Sequence, residues 1–317
     1  MPLRRSLKVL VVTALLGSAS VLAADVPKAT TAPVPVPLLW KVSDKDNAVY
    51  LLGSFHLLRP SDYPLSEDVE AAFEDAEEVV FELSPKELGS PELSVAMMAA
   101  ALRQDGRTLQ STLPPDIARQ LDSWAQANQS ALPRFGMSPR TLSMLEPWFA
   151  ALMVTMVEMG KQGLDPDLGL DNHFVKKSEA AGKPSGGLET GQEQIDVLDG
   201  SSEKEQVEML AEALEQAGKG SVETMRLHDA WRRGDADLLW TGMAADMKRD
   251  YPELYRRINV ARNDAWVPKI RQRLAAPGSD DTLIVVGALH LLGEDGVVEK
   301  LRAHGYSVER ICSACGR

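Results

Sequence analysis

Cysteine is nearly absent from this 317-residue chain; Cys312 and Cys315 are the whole complement, so no disulfide scaffold organises the fold. Positive charge is also short. Lys and Arg number 34 against 46 Asp and Glu, a formal charge of -12, which makes the chain a poor non-specific partner for nucleic acid or anionic lipid. Past the N-terminus no apolar run approaches the ~20 residues of a membrane span. The longest runs from Trp148 to Val157. The signatures G-x-S-x-G, H-E-x-x-H, the P-loop and G-x-G-x-x-G are missing, which removes the familiar serine hydrolase, zincin, NTPase and dinucleotide readings. No repeat of solenoid length recurs. What is present, 44% hydrophobic and 25% charged residues, describes a globular chain able to bury a large core. Its partner is expected to be a peptide or small molecule, or a metal, rather than a polyanion.

The N-terminus reads as an address. Arg4, Arg5 and Lys8 precede the apolar run Val9 to Ala19, and Val21-Leu22-Ala23 supplies a small-residue cleavage site. Residues 1–23 are therefore expected to be a secretory signal peptide, leaving no stable membrane span and placing the mature chain in a periplasm or outside the cell. Residues 24–38, with four prolines in VPKATTAPVPVPL, read as an extended tether. Residues 39–317 read as a single domain.

Within that domain, Trp40-Lys41-Val42 and Ala48 to Leu52 flank a polar turn and predict a hairpin. Gly53-Ser54-Phe55-His56-Leu57-Leu58 follows. A helix with its N-cap at Ser66 and Val69, Phe73 and Ala76 on one face comes next, then a strand from Glu78 to Leu83. The C-terminus repeats the plan. A strand at Thr282 to Val286 leads into Gly287-Ala288-Leu289-His290-Leu291-Leu292, a helix from about Glu294 to His304 ended by Gly305, and a strand from Tyr306 to Ile311. The expected fold class is α/β, a central mixed sheet flanked by helices and built from two strand–loop–helix–strand units. Residues 85–280 read as a largely helical cap, with helices at Pro147 to Met159 and Ser201 to Ala217 and one strand at Lys183 to Glu189.

GSFHLL and GALHLL agree at Gly, His, Leu and Leu, and each leaves the end of an apolar strand. In open α/β sheets that edge is where ligands bind. Imidazole there can hold a metal or move a proton. Glu82, ending the Val79-Val80-Phe81 run, should emerge beside His56. His56, His290 and Glu82 make a three-ligand set with room for water, the pattern of hydrolytic metal centres. Imidazole and carboxylate admit manganese, cobalt or zinc alike. Glu189 is a second strand-end carboxylate, read either as general base or fourth ligand or as the cap of the next helix.

Other features carry less. Asp171 orients a ligand, pairs with Arg262 or serves a purely structural helix start, and Arg262 either binds a substrate carboxylate or oxyanion or forms a structural ion pair. His173, His228 and His304 read as structural, and Trp124, Trp148, Trp231 and Trp240 as packing. Asp165, Asp167 and Asp171 fail the EF-hand spacing because Lys176 stands where the bidentate Glu belongs. Cys312-Ser313-Ala314-Cys315 reads as a tail disulfide or idle pair rather than a redox centre, since no helix follows it.

YLLGSFHLLRPSDYPL, GKPSGGLETGQEQ and VVGALHLLGEDGVVEKLRAHGY together resemble the TraB/GumN family, which includes the TIKI-type proteases, across roughly Trp40 to Ile311. The paired GxxH motifs are the specific part of the likeness. It implies a fold akin to the erythromycin-esterase and ChaN group and metal-dependent peptide hydrolysis, with manganese or cobalt favoured. His56 and His290 match the motif histidines, and Glu82 the acidic residue after the first unit. Glu189 and Gln194 match an LET…EQ segment, Gly169-Leu170-Asp171 with Phe174 a G-x-D-x-x-F stretch, and Arg262-Asn263 with Trp266 an RN-x-x-W stretch.

The leading expectation is an exported metal-dependent peptidase. His56, Glu82 and His290 would hold the ion, Glu189 would move the proton, and Asp171 and Arg262 would contact substrate. The competing expectations are a metal-free, esterase-like hydrolase with a His general base, and a non-catalytic protein binding haem or a peptide.

Overall fold

A computed structural model describes residues 33–315 except Ser221. The signal-peptide segment and residues 24–32 of the tether lie outside the described residues. Six strands form one sheet: β1 (Leu39–Ser43), β2 (Ala48–Ser54), β3 (Glu78–Leu83), β4 (Ser185–Glu189), β5 (Thr282–Gly287) and β6 (Ser307–Arg310). Their spatial order is β4-β3-β5-β2-β1-β6. β4, β3, β5 and β2 pair in parallel, while β1 is antiparallel to both β2 and β6, so the sheet is mixed.

The hairpin arises as its residues suggest. The Oδ1 atom of Asp44 accepts from the backbone N–H groups of Asp46 and Asn47, closing a polar turn between β1 and β2. β2 and β5 are buried along their whole length, as parallel strands covered on both faces must be. The helix Glu67–Asp75 starts after Ser66 and turns Val69, Ala72 and Phe73 inward. Between β3 and β5 the regular structure is helical apart from β4, which joins the sheet beside β3. The helix Pro147–Lys161 is apolar nearly all round and correspondingly buried, packing against Glu203–Lys219. None of the described helices is long and apolar enough to cross a membrane.

Two boundaries differ from the sequence reading. The Pro-rich segment is docked from Pro35 onward: Val36 N–H donates to Arg232 O at 2.8 Å, Ser66 N–H to Pro35 O at 3.1 Å and Gly53 N–H to Leu38 O at 2.8 Å. Proline removes donors but keeps its carbonyls, and Pro35, Pro37 and Leu38 are buried, so this stretch is packed rather than a free tether. The last helix, expected from Glu294, spans only Val297–Ala303. Gly293 takes φ 73° against the Trp240 ring, and Gly296 N–H donates to Gly293 O at 3.0 Å, so residues 293–296 form a turn ahead of the helix.

Candidate active site

His56 and His290 follow β2 and β5, which are hydrogen-bonded neighbours, so the two motif histidines emerge side by side from one sheet edge. β3 lies on the other side of β5 and carries Glu82, and β4 beyond it ends at Glu189. Residues separated by more than 200 positions are thereby brought to one floor. A Cβ placed on Gly287 would stand 3.1 Å from His56 Nε2, 3.2 Å from Glu82 Oε1 and 3.6 Å from His290 Cδ2. The two imidazoles and the carboxylate surround that point, and a glycine there leaves the space between them open.

His56 is held from behind by Asp171. The helix Leu170–Ala181 approaches the His56 loop so closely that any side chain at Gly169 would collide with the His56 carbonyl, and Leu170 N–H donates to Phe55 O at 3.2 Å. Asp171, in the first turn, then reaches His56 Nδ1 at 2.7 Å, while Ser54 Oγ donates to the same carboxylate oxygen at 2.5 Å. With Nδ1 engaged, Nε2 is the nitrogen that faces the cleft. Burial opposes charge on His56, but the carboxylates of Asp171 and Glu82 outweigh it and push its pKa up to about 9.

His290 has the opposite environment. Its Nδ1 lies 2.8 Å from Asn263 Oδ1 and its Nε2 lies 3.0 Å from Arg262 Nη1. The guanidinium can only donate, so Nε2 accepts and Nδ1 carries the proton. Burial and the Arg262 charge together push the His290 pKa down to about 3, which keeps the ring neutral. The Trp266 ring lies 4.5 Å from the His290 ring, centre to centre.

Arg262 is the buried hub. Its Nη2 donates to Glu82 Oε2 and to Glu189 Oε1, each at 2.5 Å, its Nε donates to Glu189 at 3.0 and 3.1 Å, and its Nη1 also reaches Ile258 O at 3.4 Å. Burial disfavours its charge, but two carboxylates more than restore it. Glu82 is likewise opposed by burial, yet Arg262, both histidines and the Gly287 N–H (2.8 Å) hold its carboxyl well below the usual range. Glu189 goes the other way, because burial outweighs its Arg262 pairing. Gln194 Nε2 bridges Glu189 at 2.7 Å and Glu82 at 3.3 Å, and Trp266 Nε1 donates to Glu189 at 3.1 Å.

The cleft in front of this floor opens to solvent and is lined by His56, Glu82, Arg262 and His290 among apolar side chains. The sequence-derived candidates are thus gathered, but not all face the cleft. Glu189 does not line the cleft and pairs instead with the Arg262 guanidinium and the Trp266 N–H. Asp171 orients His56, and Arg262 spends its N–H groups on protein acceptors instead of offering them to a substrate carboxylate. Four positioning groups had no role assigned from sequence: Ser54, Gln194, Asn263 and Trp266. The last two stand in the RN-x-x-W stretch, one and four residues past Arg262, a spacing that places them on neighbouring helical turns.

Glu82 Oε2 and His290 Nε2 are both committed to Arg262, which leaves His56 Nε2 and Glu82 Oε1, the latter also accepting from Gly287 N–H at 2.8 Å, as the atoms facing the cleft. Among the described residues, no group of three His, Cys, Asp or Glu side chains is arranged to hold a metal ion. As arranged, the donor set does not fit the expected ion. Elsewhere, His228 and Asp62 form a buried pair at 2.8 Å, and Cys312 and Cys315 form a disulfide.

A family model described as the TraB/PrgY/gumN family matches residues 38–310, most of the chain. No curated protein and no solved structure matches it.

Proposed function

The chain belongs to the TraB/PrgY/gumN family, and from that premise we propose that it is a hydrolase of esters or amides, including peptides, whose acid–base pair is His56 and Glu82. The observation that carries this reading is the Asp171–His56 contact at 2.7 Å, which turns His56 Nε2 toward Glu82 Oε1 across the Gly287 backbone. Two neighbouring groups with pKa values driven apart are the usual basis of an acid and a base assignment. His56, raised to about 9, enters as the acid, and ionised Glu82 accepts.

In this mechanism a water lies against Glu82 Oε1 beside the substrate carbonyl. Its oxygen bonds to the acyl carbon while its proton passes to Glu82. The bond to the leaving oxygen or nitrogen then breaks as His56 Nε2 gives that atom a proton. Transfer of the Glu82 proton to His56 restores the starting state, and the net change is addition of one water across the acyl bond. Asn263 and Arg262 keep His290 neutral and Glu82 fixed, and Asp171 keeps His56 charged and correctly turned. Export to an oxidising compartment is part of the proposal, supported by the signal-peptide pattern and by the Cys312–Cys315 disulfide.

The test is hydrolysis of p-nitrophenyl butyrate and of a blocked, internally quenched peptide by wild type and His56→Ala. The expected result is hydrolysis that disappears with the imidazole. Equal rates in both proteins would overturn the reading. Activity lost on chelation and restored by manganese, cobalt or zinc would replace it with the metal-dependent alternative.

A further inference from the structure

The apolar lining of the cleft includes side chains from four separate elements. Met159 belongs to the helix Pro147–Lys161, Met243 ends the helix Ala236–Met243, Ile258 lies in the π-helical turn Arg256–Val260, and Leu289 lies in the 3-10 turn Ala288–Leu291. Methionine walls adapt to apolar groups of varied shape, because the side chain is unbranched and polarisable. The charges define what the cleft refuses. Arg262 is the only Lys or Arg among the described residues lining it, and its donors are given to Glu82, Glu189, His290 and Ile258 O. The other cation facing the cleft, the His56 imidazolium, is already paired with Asp171 at 2.7 Å, so an anionic group entering beside the Glu82 carboxylate would meet no unpaired cation, which is costly for a charge taken out of water.

Resting on the hydrolase reading, we propose that the substrate is uncharged around its scissile bond and seats a flexible apolar chain, next to the scissile carbonyl, between Met159 and Met243. The insertion, not the two-histidine floor, then sets specificity.

The probe is 2-nonanone, whose carbonyl carries an alkyl chain and cannot be hydrolysed, compared with nonanoate as its anionic counterpart. Binding is measured by calorimetry and ligand-detected NMR on the full mature chain. Wild type is expected to bind 2-nonanone more tightly than nonanoate. Met243→Trp and Met159→Trp, each narrowing the apolar lining, are expected to weaken 2-nonanone by about tenfold, the scale on which apolar pockets discriminate. Circular dichroism and the urea midpoint identify which variants are folded, and the wild-type comparison needs no variant. Absence of 2-nonanone binding, nonanoate bound as tightly, or unchanged affinity in a folded Trp variant would each overturn the proposal. Ketone binding without His56-dependent hydrolysis would instead remove the catalytic reading and leave the apolar subsite standing.

Discussion

Asp171 Oδ2 and His56 Nδ1 lie 2.7 Å apart, although 115 positions separate them in the chain. The contact fixes the ring orientation, supplies a counter-charge and selects which nitrogen faces the cleft. Asp171→Asn keeps the shape and removes the charge. The expected result is a fall in kcat of about a hundredfold or more, the scale of acid–base catalysis, together with a lower His56 pKa. A proton NMR titration of the imidazole beside steady-state kinetics checks both. An unchanged His56 titration would separate Asp171 from the mechanism.

The pH dependence follows from the same pair. A reaction that needs His56 as imidazolium loses rate as pH rises through about 9. Stability carries the same sign. The folded-state value lies above the unfolded value of 6.5, so the stabilising contribution is complete below 6.5 and is lost as pH rises from there through about 9. Urea unfolding of wild type and His56→Gln at pH 6, 8 and 10 should show a difference that shrinks with increasing pH. A gap that widens would contradict the assignment.

Arg262 tests the buried network. Arg262→Met leaves Glu82 and Glu189 buried without their cation, and breaking such a pair costs about 3–5 kcal/mol. Arg262→Lys should recover only part of this, because one ammonium cannot reproduce contacts made by Nε, Nη1 and Nη2 together. Shifts in the urea midpoint provide the measurement, with full rescue by Lys as the contrary outcome.

Metal analysis provides an independent check on the donor geometry. Purified wild type, His56→Ala and His290→Ala are expected to carry equal, low divalent metal, and exhaustive chelation is expected to leave hydrolysis unchanged. Metal present in wild type and lost in both variants would mean that Arg262 yields His290 Nε2 and Glu82 Oε2 to an ion.

Much of the floor was legible in the sequence because it depends on local pattern. An apolar strand followed by Gly-x-x-His identifies a strand end, and two copies identify one edge, which is how His56 and His290 come together. Glu82 followed from its strand for the same reason. What the residues do to each other was not legible, since it depends on pairings between distant elements. Nothing local to Arg262 says that its donors meet Glu82, Glu189 and His290 rather than a substrate. The Met159 and Met243 wall was hidden for a related reason: methionines within helical patterns read as core until packing leaves one face on a cavity. The docked Pro35–Leu38 segment was missed because proline-rich composition predicts extension but not what the extended chain lies against.

Gly287 offers the most direct test of convergence at the site. A methyl group there would sit 3.1 Å from His56 Nε2 and 3.2 Å from Glu82 Oε1, tighter than ordinary van der Waals contact, in the space the mechanism assigns to water. Gly287 has φ -49°, so the backbone accepts alanine without left-handed strain. Gly287→Ala should therefore cost modest stability, about 1–3 kcal/mol for overpacking, yet reduce kcat far more than that loss would suggest. By contrast, Gly305→Ala removes a glycine at φ 89° far from the acid–base pair and should alter stability with little change in kcat. Kinetics and urea midpoints measured on both variants distinguish a filled reaction space from a general loss of structure. If Gly287→Ala turned over substrate at the wild-type rate, the water position between His56 and Glu82 would be untenable.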